Sequence, residues 1–176
     1  MNFQSDLSFK LETERLILCE LSQDDAAFIL ELINDPDWIR YIGDRGIHTL
    51  EAARDYVAEG PMASYKQHGF GLYLTKLKAD DTPIGICGLV NREGLDEVDL
   101  GFAFLPNFRG KGYAFESANA VIEFSRDTLE LELLAAITDP KNKDSITLLE
   151  KMDFVFEKMI RLSKDADKIN LFILEL

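Results

Sequence analysis

Residues 84–90 read Ile-Gly-Ile-Cys-Gly-Leu-Val, an almost unbroken apolar run. Thr82-Pro83 closes it on one side and the turn residues Asn91 to Gly94 on the other. A strand wetted on one face alternates apolar and polar residues; one that is apolar throughout is covered on both faces. The rest of the chain must therefore supply layers on either side of it, and it does so in mixed order. Strands are expected over residues 15–21, 70–76, 84–90, 95–105, 131–138, 154–162 and 169–176. Helices are expected over 24–34, capped by Ser22, over 50–66, capped by Thr49, and over 111–125 and 142–152. Asp35-Pro36-Asp37 breaks the first helix, and residues 38–48 read as an irregular aromatic stretch. The order βααβββαβαββ predicts a single α+β domain over residues 1–176, with about seven strands and about four helices.

Composition narrows the function. The 176 residues are 47% hydrophobic, enough for a sizeable core. A formal net charge of −13 opposes binding to nucleic acid, where affinity comes from Lys and Arg releasing counterions. No apolar run is long enough to cross a bilayer, and residues 1–10 lack the basic start and apolar core of a secretory signal. The two cysteines, Cys19 and Cys87, lie far apart in apolar runs and read as reduced core thiols, which suits a cytoplasmic compartment. His48 and His68 have no spacing or neighbours that would make a metal site, so none is expected.

The segment with chemistry in it is Phe104-Leu105-Pro106-Asn107-Phe108-Arg109-Gly110-Lys111-Gly112-Tyr113-Ala114. It follows an expected strand and opens an expected helix. Such a junction offers unpaired N–H groups at the positive end of a helix dipole, a site for pyrophosphate. Gly110 and Gly112 let phosphate oxygens approach the backbone, Ala114 keeps the first turn slim, and Arg109 and Lys111 bring positive charge. The segment is neither a Walker motif nor the dinucleotide fingerprint.

Arg109-x-x-Gly112-x-Ala114 resembles the Arg/Gln-x-x-Gly-x-Gly/Ala signature of the GNAT N-acetyltransferase superfamily, with the typical proline three residues earlier. The run from Asn142 to Phe154 is similar too. Glu14-Arg15-Leu16-Ile17-Leu18 resembles the opening of the branch that acetylates ribosomal-protein N-termini. The resemblance implies a mixed, mostly antiparallel sheet splayed at a coenzyme cleft. It implies acetyl-CoA as co-substrate, its pantetheine arm on the backbone of Phe102, Ala103 and Phe104, its pyrophosphate on the N–H groups of residues 109–114, and Asn142 as a further contact. The acceptor would be an amine, on a protein N-terminus or a small molecule, attacking the thioester directly. Neither membrane nor nucleic acid is an expected partner, and the choice between monomer and homodimer stays open.

Direct attack needs a proton acceptor for the amine and a donor for the leaving thiolate. By alternation Val98, Leu100, Phe102 and Phe104 share one strand face, and Glu97, Asp99, Gly101 and Ala103 the other. A carboxylate on the second face could take the proton directly or through water; Asp99 is nearer the loop than Glu97. Many relatives have a tyrosine as donor where this chain has Leu149, which leaves Ser145, a position where the ribosomal-protein branch commonly has serine. Asp153 stands where relatives usually have glycine. Trp38 and Tyr41 either line the acceptor side or staple helices to the sheet. An alternative to catalysis is a module of the same fold that holds acyl-CoA as a sensor.

Overall fold

The computed structural model describes residues 9–176; the expectation that residues 1–10 form no secretory signal therefore lies mostly outside the described residues. The chain runs β1 (Lys10–Glu12), β2 (Leu16–Glu20), α1 (Ala26–Ile33), α2 (Pro36–Tyr41), α3 (Leu50–Glu59), α4 (Pro61–His68), β3 (Leu72–Leu77), β4 (Pro83–Val90), β5 (Asp99–Phe104), α5 (Tyr113–Asp127), β6 (Leu133–Thr138), α6 (Lys143–Lys151), β7 (Val155–Ile160) and β8 (Ile169–Glu175). One sheet of eight strands has the order β1-β2-β3-β4-β5-β6-β8-β7, antiparallel throughout except for the parallel pair β5 and β6.

The mixed, mostly antiparallel α+β architecture is the expected one; the element count differs at three places. β1 is a three-residue strand on the sheet's edge, too short to leave a periodic signal. Asp35-Pro36 ends one helix and also begins the next. The Asp35 carboxylate accepts from the N–H groups of Asp37 and Trp38, and Pro36 occupies the first turn, where a missing N–H costs nothing. Residues 38–41, expected to be irregular, are therefore helical. Pro61 divides the expected helix 50–66 in the same way, giving α3 and α4 on either side of Gly60.

Two cores sandwich the sheet. Leu16, Leu18, Leu89, Leu100 and Phe104 pack with Val121 of α5 and Leu149 of α6 on one face. Leu74 and Ile86 pack with Ile29, Leu32, Trp38 and Val57 of the first three helices on the other. β4 is buried from Ile84 to Leu89, as its apolar run requires. At Gly88 a Cβ would lie 2.1 Å from the Gly71 carbonyl oxygen, so the run's glycine marks a backbone approach no side chain could share.

α6 closes with a turn that explains an unusual residue. The Phe154 N–H reaches the Leu149 carbonyl and the Asp153 N–H that of Glu150, a Schellman pair, and Asp153 sits in the left-handed region at φ 65°. Replacing it should relieve backbone strain. Asp153→Gly is expected to stabilise the protein by about 0.5–1 kcal/mol, a rise of roughly 1–4 °C in Tm for a chain of this size. A thermal melt showing no rise would mean that the aspartate side chain contributes as much as the strain costs.

Candidate active site

β5 and β6 pair through a single register, Asp99 with Ala135, and then part. β4 and β5 share six paired positions and β6 and β8 another six, so the gap lies only between β5 and β6. The Leu105 N–H bonds to the Ile84 carbonyl, which sets the phase of β5: residues 99, 101 and 103 turn their backbone groups to β4, and 100, 102 and 104 turn theirs to the gap. Of the three expected partners for an extended ligand, Phe102 presents both its N–H and C=O. Phe104 presents its N–H alone, since its carbonyl accepts from Arg109 Nε at 2.8 Å, and Ala103 faces β4. Two cavities open at the gap. One, of about 560 Å³, runs along the loop before α5 and the first turn of α6. The other, of about 280 Å³, lies towards α2, α3 and the N-terminal end of β5. They share Trp38, Tyr41, Phe102, Ala103, Asn142 and Ser145 as walls.

The loop before α5 is built to expose backbone. Pro106 to Phe108 form a tight 3-10 turn, and Gly110 and Gly112 take φ of +71° and +83°. Among the described residues the N–H groups of Gly110, Lys111 and Gly112 have no acceptor, and the first turn of α5 adds further open donors. The Arg109 N–H, by contrast, is taken by the Pro106 carbonyl. Arg109 was expected to bring positive charge to this loop. Its guanidinium instead bridges Asp35 and Asp37, each at 2.5 Å, so its charge is compensated and it ties the loop to α2. Cations remaining here are Lys111, over the Phe108 ring, and Lys151, over the Phe115 ring and on the cavity wall. Lys151 went unnoticed in the sequence because its distance from the loop there is 40 residues.

A second clamp explains the Thr13-Glu14-Arg15-Leu16 opening. Glu116, in the first turn of α5, accepts from the Thr13 hydroxyl at 2.5 Å, the Arg15 N–H at 2.8 Å and Arg15 Nε at 2.6 Å. Arg15 also donates to the Lys111 carbonyl and lies over the Tyr113 ring. Burial works to raise the Glu116 pKa, but these hydrogen bonds outweigh it and hold the carboxyl below its ordinary value.

Asp99 is set deeper than a solvent-reached base would be. It is 1% exposed, with Oδ2 held by Arg92 Nε at 2.9 Å and Oδ1 buried without a partner among the described residues. Burial raises its pKa, and the charge and hydrogen bond of Arg92 oppose the rise. It lines the smaller cavity together with Arg92, a residue that alternation along β5 could not select because it lies in the preceding loop. Glu97 falls outside β5 and outside both cavities.

Asn142 caps α6 by accepting the Ser145 N–H at 3.1 Å, while its amide nitrogen and the Ser145 hydroxyl have no partner among the described residues. Both residues line both cavities. Trp38 and Tyr41 are both cavity walls, and Trp38 is also packed in the core with the first helices. Burial pushes the Cys19 thiol up and that of Cys87 to about 12, so neither is a ready nucleophile. No helix among the described residues is long and apolar enough to cross a membrane.

The sequence model of the acetyltransferase (GNAT) domain matches residues 15–155. The chain is 31% identical over 155 residues to the uncharacterized protein YkkB of Bacillus subtilis (strain 168), covering 86% of this chain and 88% of that protein. It is 28% identical over 153 residues to the uncharacterized N-acetyltransferase p20 of Bacillus licheniformis, covering 86% and 85%. Its fold is similar to that of RimL, a ribosomal L7/L12 alpha-N-protein acetyltransferase solved in complex with coenzyme A, with a TM-score of 0.82 at 13% identity over 96% of this chain and 98% of the other.

The Glu116 clamp has a pH signature. A carboxyl whose folded pKa is depressed contributes stability that is complete above its ordinary value of 4.5 and is lost as pH falls through the folded value. Glu116→Gln is expected to cost about 1–2 kcal/mol at neutral pH, with the deficit narrowing as pH falls below 4.5. Urea unfolding of both proteins across a pH series measures this, and a deficit that stays constant with pH would exclude the charge as its source.

Proposed function

The chain belongs to the acetyltransferase (GNAT) family, and from that premise we propose that it moves an acetyl group from acetyl-coenzyme A to a primary amine by direct attack. The observation that carries this reading is the meeting of two cavities at the parted strands β5 and β6. One is lined by open backbone donors and the other by a buried carboxylate. The larger cavity suits the coenzyme. Gly110, Lys111, Gly112, Tyr113 and Ala114 offer N–H groups to a pyrophosphate, Phe102 offers a strand edge to the pantetheine amides, and the Asn142 amide nitrogen offers a further donor. Arg109 holds this loop through Asp35 and Asp37 and contributes through position rather than charge.

The coenzyme supplies an activated acetyl thioester; the protein supplies two proton positions. The amine enters through the smaller cavity and gives up its proton to Asp99, through water if not directly. The raised pKa of Asp99 makes it a better base than an exposed aspartate. The nitrogen lone pair forms the new C–N bond, the C–S bond breaks, the sulfur takes a proton from the Ser145 hydroxyl, and the second nitrogen proton leaves to solvent, which also restores Ser145 and Asp99. No covalent enzyme intermediate is required, in keeping with two thiols that burial renders unreactive. RimL acts on a protein N-terminus; for this chain the acceptor class is a primary amine, on a protein N-terminus or a small molecule. Two free cysteines suit a cytoplasmic setting.

Release of free coenzyme A thiol in the presence of an amine panel tests the reading, and binding of acetyl-CoA with no release under any amine would favour a sensor instead. Gly112→Val should abolish acetyl-CoA binding in calorimetry while the unfolding transition persists, because a β-branched residue in the left-handed region displaces the loop backbone. Unchanged affinity would remove the loop from the binding site. Asp99→Asn should slow turnover roughly tenfold or more, the range of general-base effects. The loss should shrink at high pH, where the amine is already neutral. Parallel pH–rate profiles for wild type and Asp99→Asn would rule Asp99 out as the base.

A further inference from the structure

The chemistry above leaves both arginines of the smaller cavity unused. Arg45, in the loop between α2 and α3, and Arg92, in the loop before β5, both line it. Arg92 commits its Nε to Asp99. Among the described residues its terminal nitrogens have no hydrogen-bond or ion-pair partner, and neither has any part of Arg45. Both arginines are near enough to Tyr56, another wall residue, to oppose the rise that burial gives its hydroxyl pKa. The acids facing them are Asp99, with Oδ2 on Arg92, and Asp139, with Oδ1 already accepting from the Lys141 N–H. Acidic residues outnumber Lys and Arg by 32 to 19 in this chain, whereas this cavity wall sets two arginines against two aspartates and is more basic than the chain as a whole.

The unpartnered buried polar atoms in these walls are one donor and one acceptor. Trp38 Nε1, a donor only, and Asp99 Oδ1 are both buried without partners among the described residues. A bound molecule that meets these groups must offer a cationic amine to the aspartate and an acceptor to the guanidinium groups and the indole. The cavity of about 280 Å³ has room for a small amino acid.

We propose that the acceptor is a small amine carrying a carboxylate on the same molecule, as a free amino acid does, with Arg45 and Arg92 binding the carboxylate so that the amine is delivered to Asp99 at the parted strands. This rests on the acetyl-transfer reading above. Charge-assisted, forked hydrogen bonds from arginine to a carboxylate are among the strongest available to a polar site. A plain amine would leave both guanidinium groups unmet.

Thiol release is measured with free amino acids, their amides and the matching decarboxylated amines, and kcat/KM is compared within each set. The carboxylate form is expected to be preferred by roughly tenfold or more, the scale of one charge-assisted contact. Arg45→Gln, on an exposed loop residue, should bring that ratio towards one, mainly through KM for the carboxylate form; Arg92→Gln should lower the ratio too, with an added change in kcat for every amine because it also removes the partner of Asp99. Equal use of acid, amide and amine overturns the inference while leaving acetyl transfer intact. So does an unchanged ratio in Arg45→Gln, or a preference confined to peptides with an acidic residue beside a free N-terminus. No release with any amine overturns the transfer reading and this inference with it.

Discussion

A sheet in which two neighbours pair at one position and then diverge has a constraint at its centre. Every buried backbone N–H and C=O needs a partner, and the outward groups of Phe102 and Phe104 lose theirs where β6 turns away. The protein meets part of this demand itself, by returning Arg109 to the Phe104 carbonyl. The remainder is available to a ligand. The gap is held open because the elements on either side are anchored elsewhere, β5 by six positions on β4 and β6 by six on β8. The single contact between Asp99 and Ala135 is the vertex of the wedge, and both cavities form from it.

Charge is organised around that wedge in short-range groups, because a net charge of −13 would otherwise repel an anionic coenzyme. Two clamps bracket the loop before α5. Arg109 with Asp35 and Asp37 fixes its start, and Thr13 and Arg15 with Glu116 fix its end. The first sets one cation against two acids and the second one against one, so neither adds positive charge; what they leave is a stretch of backbone, from Gly110 to the first turn of α5, whose donors have no acceptor among the described residues. Binding an anion through oriented N–H groups, with Lys111 and Lys151 nearby, suits an acidic protein better than a cluster of basic side chains would.

The smaller cavity follows a different rule. There the acid, Asp99, is buried and paired with the half-buried Arg92, a cation that has nitrogens to spare. A carboxylate in that setting keeps a raised pKa without becoming inert, since burial and Arg92 act in opposite directions. The residues shared by the two cavities come from α2, β5 and the start of α6, three elements whose placement depends on both cores at once.

What the sequence determined by itself was local. The apolar run of β4, the alternation of β5 and the Gly-x-Gly turn into α5 depend on residues within a few positions of one another, so spacing and residue type were enough to read them. The α2 helix was missed because Asp-Pro serves equally as an ending and as a beginning, and local sequence does not choose between them. Only the tertiary structure decided the side-chain partnerships. Arg109 meets acids 72 and 74 residues away, Arg15 meets Glu116 across 101, and Asp99 takes its arginine from a loop outside its own strand. Whether a charged side chain faces a ligand or an internal partner depends on which distant segment the fold brings within about 3 Å of it, and no periodicity in the chain encodes that distance.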